Sequence, residues 1–264
     1  MVNCKDRPEY FFIHGSVKKD MMNKTAVITG AAGGIGKAAA LHFAQAGWQT
    51  ALCCRQRTQE LEALAARIRC QYGTACLTFT GDMGSWEDSR AFCDMALKAF
   101  GHADVLINNA GISYIGLLTD MQPEDWRALM SSNLDSVFNC CRHIIPSMVS
   151  RKEGRIINVS SVWGCCGASC EAAYSASKGG VNALTMALAR ELAPSNIAVN
   201  AIAFGVIDTR MNGQLSEEER AELAQEIPAG RFASPEEAGR QIFALAQADP
   251  YLTGQIIKYD GAWT

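Results

Sequence analysis

The chain has 264 residues, 48% hydrophobic and 19% charged, with a formal net charge of −3. That length suits one α/β domain around a single sheet. The charge excludes the broad positive field that holds nucleic acid or an anionic membrane, so neither is expected as a partner. The eleven cysteines include the adjacent pairs Cys53-Cys54, Cys140-Cys141 and Cys165-Cys166, and none stands in a C-x-x-C spacing. Zinc-type spacings are therefore missing and no metal site is expected. Thiols inside apolar runs read as small buried hydrophobes in a reducing, cytoplasmic setting.

In chain order, residues 1–22 are polar with one short apolar patch, Tyr10 to Ile13, too short for a signal-peptide core. They read as an extension outside the fold, or as leader before a start at Met21 or Met22. Thr25 to Thr29 is a β-type run, followed by a glycine-rich turn and a helix over Ile35 to Ala46. The spacing predicts strands at Gln49 to Cys53, Ala75 to Thr80, Val105 to Ile107, Arg155 to Ser160, Ala198 to Ala203 and Gln255 to Tyr259. Helices are predicted over Glu60 to Tyr72, Trp86 to Phe100, Glu124 to Val149, Tyr174 to Leu192, Glu217 to Gln225 and Pro235 to Ala246. No run is long and apolar enough to span a bilayer. Short apolar strands alternating with helices imply a doubly wound, Rossmann-type parallel sheet of seven strands, in one domain over 23–264.

Thr29-Gly30-Ala31-Ala32-Gly33-Gly34-Ile35-Gly36 falls where the first strand meets the first helix. Glycines there let the backbone approach a pyrophosphate, and the helix N-terminus offers free N–H groups. A carboxylate for the adenosine ribose belongs at the end of the second strand. Cys54 stands there instead, with Arg55 next and Arg57 close behind. A guanidinium grips a 2′-phosphate, so the cofactor expected is NADP rather than NAD. The other reading of Arg55 is a solvated surface arginine. Asp82, beside Met83, either meets an adenine or caps the helix that begins near Ser85. Asn108-Asn109-Ala110-Gly111 follows the fourth strand, where small residues let the chain pass close to a flat ligand.

Tyr174 and Lys178 lie four apart on one helix face. An ammonium beside a phenol favours the phenolate and is expected to lower its pKa toward the working pH, making a general acid. Ser161, at the end of a strand, can hold a substrate oxygen near that phenol. Together with Asn109, Ala110, Gly111 and Asn133, these motifs resemble the classical short-chain dehydrogenase/reductase family from about Lys24 to Trp263. The resemblance implies that Tyr174 passes the proton, Ser161 polarises the carbonyl oxygen, and Lys178 binds the nicotinamide ribose and lowers the Tyr174 pKa. It implies that Asn133 kinks its helix and holds a relay water. Ser160 is the neighbouring serine, but the family's spacing to tyrosine selects Ser161. Gly205-Val206-Ile207-Asp208-Thr209 resembles the nicotinamide loop, with Ile207 at the carboxamide and Thr209 at a phosphate. Phe204 stands where the family usually has proline.

The same resemblance places a substrate lid at about 210–231 and implies a homodimer or homotetramer. Ile227 to Phe232 and the ending Leu252 to Gln255 with Asp260-Gly261 are similar to 3-oxoacyl-acyl-carrier-protein reductases of fatty acid biosynthesis. Lys152 and Arg155 fit one basic docking position for a carrier-bound substrate, whereas Pro194-Ser195-Asn196 occupies the second. Trp163-Gly164-x-x-Gly167-Ala168-Ser169-Cys170-Glu171, with Tyr114-x-Gly116, is similar to the reductases of the 5-aminopentanone group on elongation factor P. There Glu171 would pair with the substrate's amine, beside Trp163. The alternative is a helix-start carboxylate favoured by the dipole. Reduction of small ketones, sugars or steroids is a further reading. A non-catalytic dinucleotide sensor is another, against which the intact Asn133, Ser161, Tyr174 and Lys178 argue.

Overall fold

A computed structural model describes residues 24–213 and 215–264. The extension read at 1–22 lies outside the described residues. Seven parallel strands run in the order β3-β2-β1-β4-β5-β6-β7. They are β1 (Thr25–Ile28), β2 (Gln49–Cys54), β3 (Cys76–Thr80), β4 (Val105–Asn108), β5 (Gly154–Ser161), β6 (Ile197–Phe204) and β7 (Ile256–Tyr259). Each is a short apolar run because both faces are covered by helices.

On one face lie α1 (Gly34–Gln45), α2 (Thr58–Tyr72) and α9 (Pro235–Ala246). Phe43, Leu61, Ile68 and Ile242 pack there against Ile28, Leu52 and Ile107. On the other face lie α3 (Trp86–Phe100), α5 (Ser136–Arg151) and α7 (Ala172–Leu192). Phe92, Ile144, Met148 and Val181 pack there against Val27, Ala51, Leu106 and Val199. The strand order reverses between β1 and β4, so the crevice for a ligand opens at the carboxyl ends of these strands.

The helix read as continuous from Glu124 to Val149 is interrupted. α4 (Pro123–Met130) passes through a π-helical turn, Ser131–Asp135, before α5 begins. Asn133 sits in this turn, fully buried. Its Oδ1 accepts from Ile112 N at 2.8 Å, and its Nδ2 donates to Ile112 O at 2.9 Å and Ser177 Oγ at 3.0 Å. The wider turn lets one side chain bridge the loop after β4 and helix α7. A four-residue helix, α6 (Trp163–Cys166), has no counterpart in the predicted elements. The buried-thiol reading holds for Cys53, Cys54, Cys76, Cys93, Cys140 and Cys141, while Cys70, Cys165, Cys166 and Cys170 are exposed. Among the described residues no helix is long and apolar enough to cross a membrane.

Candidate active site

A cleft of about 1380 Å³ follows the carboxyl ends of β1 to β6. At its phosphate end, Gly30 (φ 65°) and Gly34 (φ 54°) take the left-handed conformation that L side chains resist. A Cβ on Gly36 would lie 2.5 Å from Gly30 O, so the turn closes only around a glycine. α1 starts with no side-chain cap and no acidic residue in its first turn, leaving its first N–H groups facing the cleft. That uncapped, positive helix end fits a pyrophosphate. Thr29 and Gly36 lie behind this surface rather than on it. The Thr29 hydroxyl accepts from Asn109 N at 2.9 Å and Ala110 N at 3.0 Å, and the Asn109 amide donates to Thr29 O and Gly30 O. These two residues thus hold the β4 loop against the phosphate turn.

Arg55 and Asp82 face each other at 3.7 Å, both roughly half exposed. Asp82 also accepts from Gly84 N at 2.9 Å, while Ser85 caps α3 by accepting from Asp88 N at 3.2 Å. Of the two readings of Asp82, the helix cap is taken by Ser85. Arg57 lies nearer the phosphate turn than its sequence position suggests. A Cβ on Gly33 would come within 2.6 Å of its Nη1, and its Nε holds Glu60 at 3.2 Å. Met83, Ala110, Gly111 and Ile35 complete this half of the cleft.

At the other end, Ser161 closes β5 and Tyr174 is the third residue of α7, both on the cleft, with the Ser161 side chain near enough to act on the Tyr174 phenol. Ser161 Oγ also accepts from Trp163 N at 3.2 Å. Ser160 is committed elsewhere, donating to Asn182 Oδ1 at 2.6 Å. Lys178 is buried, and its ammonium donates to Val159 O at 2.8 Å. Its Nζ lies 5.8 Å from the Tyr174 ring centre. Burial pushes the Tyr174 phenol up to about 12, with Ser161 pulling it down and Glu171 raising it further. The expected lowering by Lys178 is not among these effects, and desolvation of the phenolate is the largest of them. Burial also brings Lys178 down to about 8. Asn133 does not line the cleft. It acts from behind: the position of a Gly111 Cβ is 3.1 Å from Asn133 Oδ1 and 3.5 Å from Lys178 Nζ.

Gly205, Ile207 and Thr209 form the wall after β6. Ile207 O accepts from Asn212 Nδ2 at 2.8 Å, and Ile207 pairs with Ala233 in an isolated bridge. Phe204, in the place of a proline, packs edge-on to Tyr259 at 5.8 Å. The stretch read as a lid carries a 3-10 turn, Arg210–Asn212, and α8 (Glu217–Glu226), with Met211, Asn212, Leu223 and Glu226 on the cleft. Glu217 to Glu219 form a solvated helix start in which Ser216 and Glu219 make a capping box. Glu171, half-buried, makes no side-chain cap for α7; burial raises its pKa, and the neighbouring Trp163 side chain offsets part of that rise. Trp263, which the sequence reading did not single out, lies on the cleft against Trp163 with ring centres 4.8 Å apart. Among the described residues no cluster of His, Cys, Asp or Glu is placed to hold a metal ion.

Comparison with known proteins agrees with this arrangement. Residues 24–220 match the short chain dehydrogenase family. A Bacillus subtilis protein named uncharacterized oxidoreductase YmfI is 36% identical over 243 residues, covering 92% of this chain and 99% of that protein. The 3-oxoacyl-acyl-carrier-protein reductase of Thermotoga maritima is 39% identical over 239 residues, covering 90% and 96%. That of Staphylococcus aureus is 35% identical over 241 residues, covering 91% and 98%. The chain belongs to the short-chain dehydrogenase/reductase family and is an NAD(P)-dependent oxidoreductase.

Proposed function

We propose that this chain is an NADP(H)-dependent carbonyl reductase that protonates a ketone oxygen from Tyr174. The observation that carries this is the Ser161–Tyr174 hydroxyl pair, with buried Lys178 on the next helical turn, in the same cleft as the uncapped start of α1. The nicotinamide dinucleotide, when bound, supplies the hydride. Ser161 Oγ donates to the substrate oxygen and orients it. Tyr174 Oη gives up its proton as negative charge develops on that oxygen, which is general acid catalysis. Lys178, held by Val159 O, stands ready to resupply the proton. Asn133 fixes the Ile112 loop and Ser177, and thereby the height of α7 against the sheet.

The preference for NADP rests on Arg55 and Arg57, with Cys54 in place of the acidic residue that would repel a 2′-phosphate. The oligomer, a homodimer or homotetramer, uses exposed apolar residues of α5 and α7, Phe138, Val149 and Met186. Its place is the cytoplasm. The first substrate reading is a 3-oxoacyl thioester, in keeping with the names of the Thermotoga and Staphylococcus relatives. Carrier docking by cations is thin here. Lys152 is exposed, but Arg155 is half-buried with Nη1 on Gly154 O, and Ser195 offers no charge.

A second reading is favoured by Glu171. A carboxylate on the cleft that makes no cap bond to the helix start suits a ketone that also carries an amine. The 5-aminopentanone group on elongation factor P has that chemistry. The test is NADPH consumption by the purified protein with acetoacetyl thioester and with aminopentanone-modified elongation factor P, alongside Tyr174→Phe. Turnover that Tyr174→Phe abolishes supports the reductase reading, and the better substrate decides between the two classes. Turnover that persists in Tyr174→Phe overturns it.

A further inference from the structure

Trp263 comes from the segment after β7, one hundred residues along the chain from Trp163, yet the two indoles meet at 4.8 Å with planes 56° apart. The segment is fixed, not merely adjacent. The Asp260 carboxylate accepts from Ala262 N at 3.1 Å, Thr264 N at 3.0 Å and Thr264 Oγ1 at 2.9 Å. Ala262 is held at φ 69°, a conformation an alanine takes only when its surroundings impose it. The base of the same turn abuts the nicotinamide loop, since a Cβ on Gly205 would lie 2.8 Å from Asp260 Cβ. Trp263 is thereby set on the cleft wall, over Trp163, and Glu171 lines the same wall. Among the described residues Glu171 has no lysine or arginine partner.

We propose that Trp263, Trp163 and Glu171 form an alkylammonium subsite, in which the segment after β7 selects ketones that carry a cationic group a few bonds from the carbonyl. The chemistry follows from the three groups. Indole faces attract a cation through their quadrupole and accept its alkyl shell. A half-buried carboxylate without an internal cation gains most when the ligand brings one. Tyr174 adjoins Glu171 on the same helical turn, so a cation held there leaves a short alkyl chain to span to the Ser161–Tyr174 hydroxyls. This deepens the aminoketone reading above and rests on it for the place of the carbonyl. Trp263 itself is a specificity determinant, distant from the proton transfer.

The test uses two ketones that cannot cyclise. One is a methyl ketone with a trimethylammonium group three methylenes from the carbonyl; the other is the neutral isostere with a tert-butyl group instead. Wild type is expected to favour the cationic ketone by about tenfold or more in kcat/KM. Trp263→Ala and Glu171→Gln should each cut that preference several-fold, chiefly through KM for the cationic ketone, and Trp263→Phe should restore most of it. Direct binding gives a readout independent of turnover. Tryptophan fluorescence titrated with a trimethylammonium alcohol should show saturable binding that the tert-butyl alcohol lacks and that Trp263→Ala weakens. Equal reduction of both ketones, with Tyr174→Phe inactive, overturns the subsite and leaves the reductase reading standing. Absence of cation-selective binding overturns the subsite whatever the turnover. Reduction that survives Tyr174→Phe overturns the placement of the carbonyl on which the subsite depends.

Discussion

Lys178→Met should change stability in a way that depends on pH, and the dependence can be worked from the site. Lys178 is 4% exposed, and among the described residues no carboxylate faces its ammonium, which donates to Val159 O. Burial brings its pKa from 10.5 to about 8. Between these values the unfolded chain binds a proton that the folded chain lacks, so folding gains stability as pH rises through that window. The gain is at most about 1.4 kcal/mol per pH unit, and about 2 kcal/mol between pH 8 and pH 10. Below pH 8 the folded protein carries the full cost of a buried charge. Methionine carries none of it. The stability of the variant relative to wild type should therefore fall by about 3 kcal/mol between pH 7 and pH 10. The buried thiols of Cys53 and Cys141 are pushed up and act in the opposite direction over this range, but both proteins contain them and they cancel in the difference. Urea denaturation of the coenzyme-free protein at the two pH values measures it. A difference that stays constant from pH 7 to pH 10 would refute the assignment of a desolvated ammonium to this site.

Tyr174→Phe should cost at least a hundredfold in kcat for reduction while NADPH still binds, as read by coenzyme fluorescence. Arg57→Ala should raise KM for NADPH more than KM for NADH, and Arg55→Ala should do the same less strongly, since Arg55 already pairs with Asp82. Wild type that uses NADH better than NADPH would remove both arginines from this role. Asn133→Ala leaves Ile112 N and O and Ser177 Oγ without their partner inside the core, and should lower stability by about 2–4 kcal/mol in thermal or urea unfolding. The kcat/KM for reduction should fall as pH rises through about 8, where Lys178 loses its proton, and Lys178→Arg should move that limb upward.

The strands were legible because burial on both faces leaves little freedom in composition: every residue of β4 and β6 is buried. The closeness of Tyr174 and Lys178 was legible because a spacing of four on a helix fixes a geometry without help from the rest of the fold. What the sequence hid depends on tertiary context. The π turn at Ser131–Asp135 has ordinary helix formers around it, and only the bonds from Asn133 to Ile112 and Ser177 reveal why the helix widens. Arg57 reads as one of two neighbouring cations until the fold lays it over Gly33. Trp263 is one aromatic residue near the last strand, with no pattern to mark it, and its contact with Trp163 exists only because Asp260 curls the segment back. The direction of the Tyr174 shift was misread for a related reason. Spacing shows that an ammonium is near, but not how much water both groups have lost.

Those opposing shifts give the site a direction. Desolvation disfavours the charged form of each group, so Tyr174 holds its proton firmly while Lys178 holds one loosely. A phenol at about 12 still protonates an oxygen that is becoming an alkoxide, because that oxygen is the stronger base. Once the phenolate has formed, it is a far stronger base than the lysine amine. Under the proposed reading, proton movement from Lys178 toward Tyr174 is then downhill, and burial, adverse to either charged form, sets the order of transfer. Glu171 adds a second control. Its negative charge raises the phenol, whereas the Ser161 contact lowers it. A substrate cation on Glu171 would cancel the first effect and leave the second. The ligand that fills the indole-lined end would thus strengthen the acid at the other, and a neutral ketone would meet Tyr174 in its weaker form.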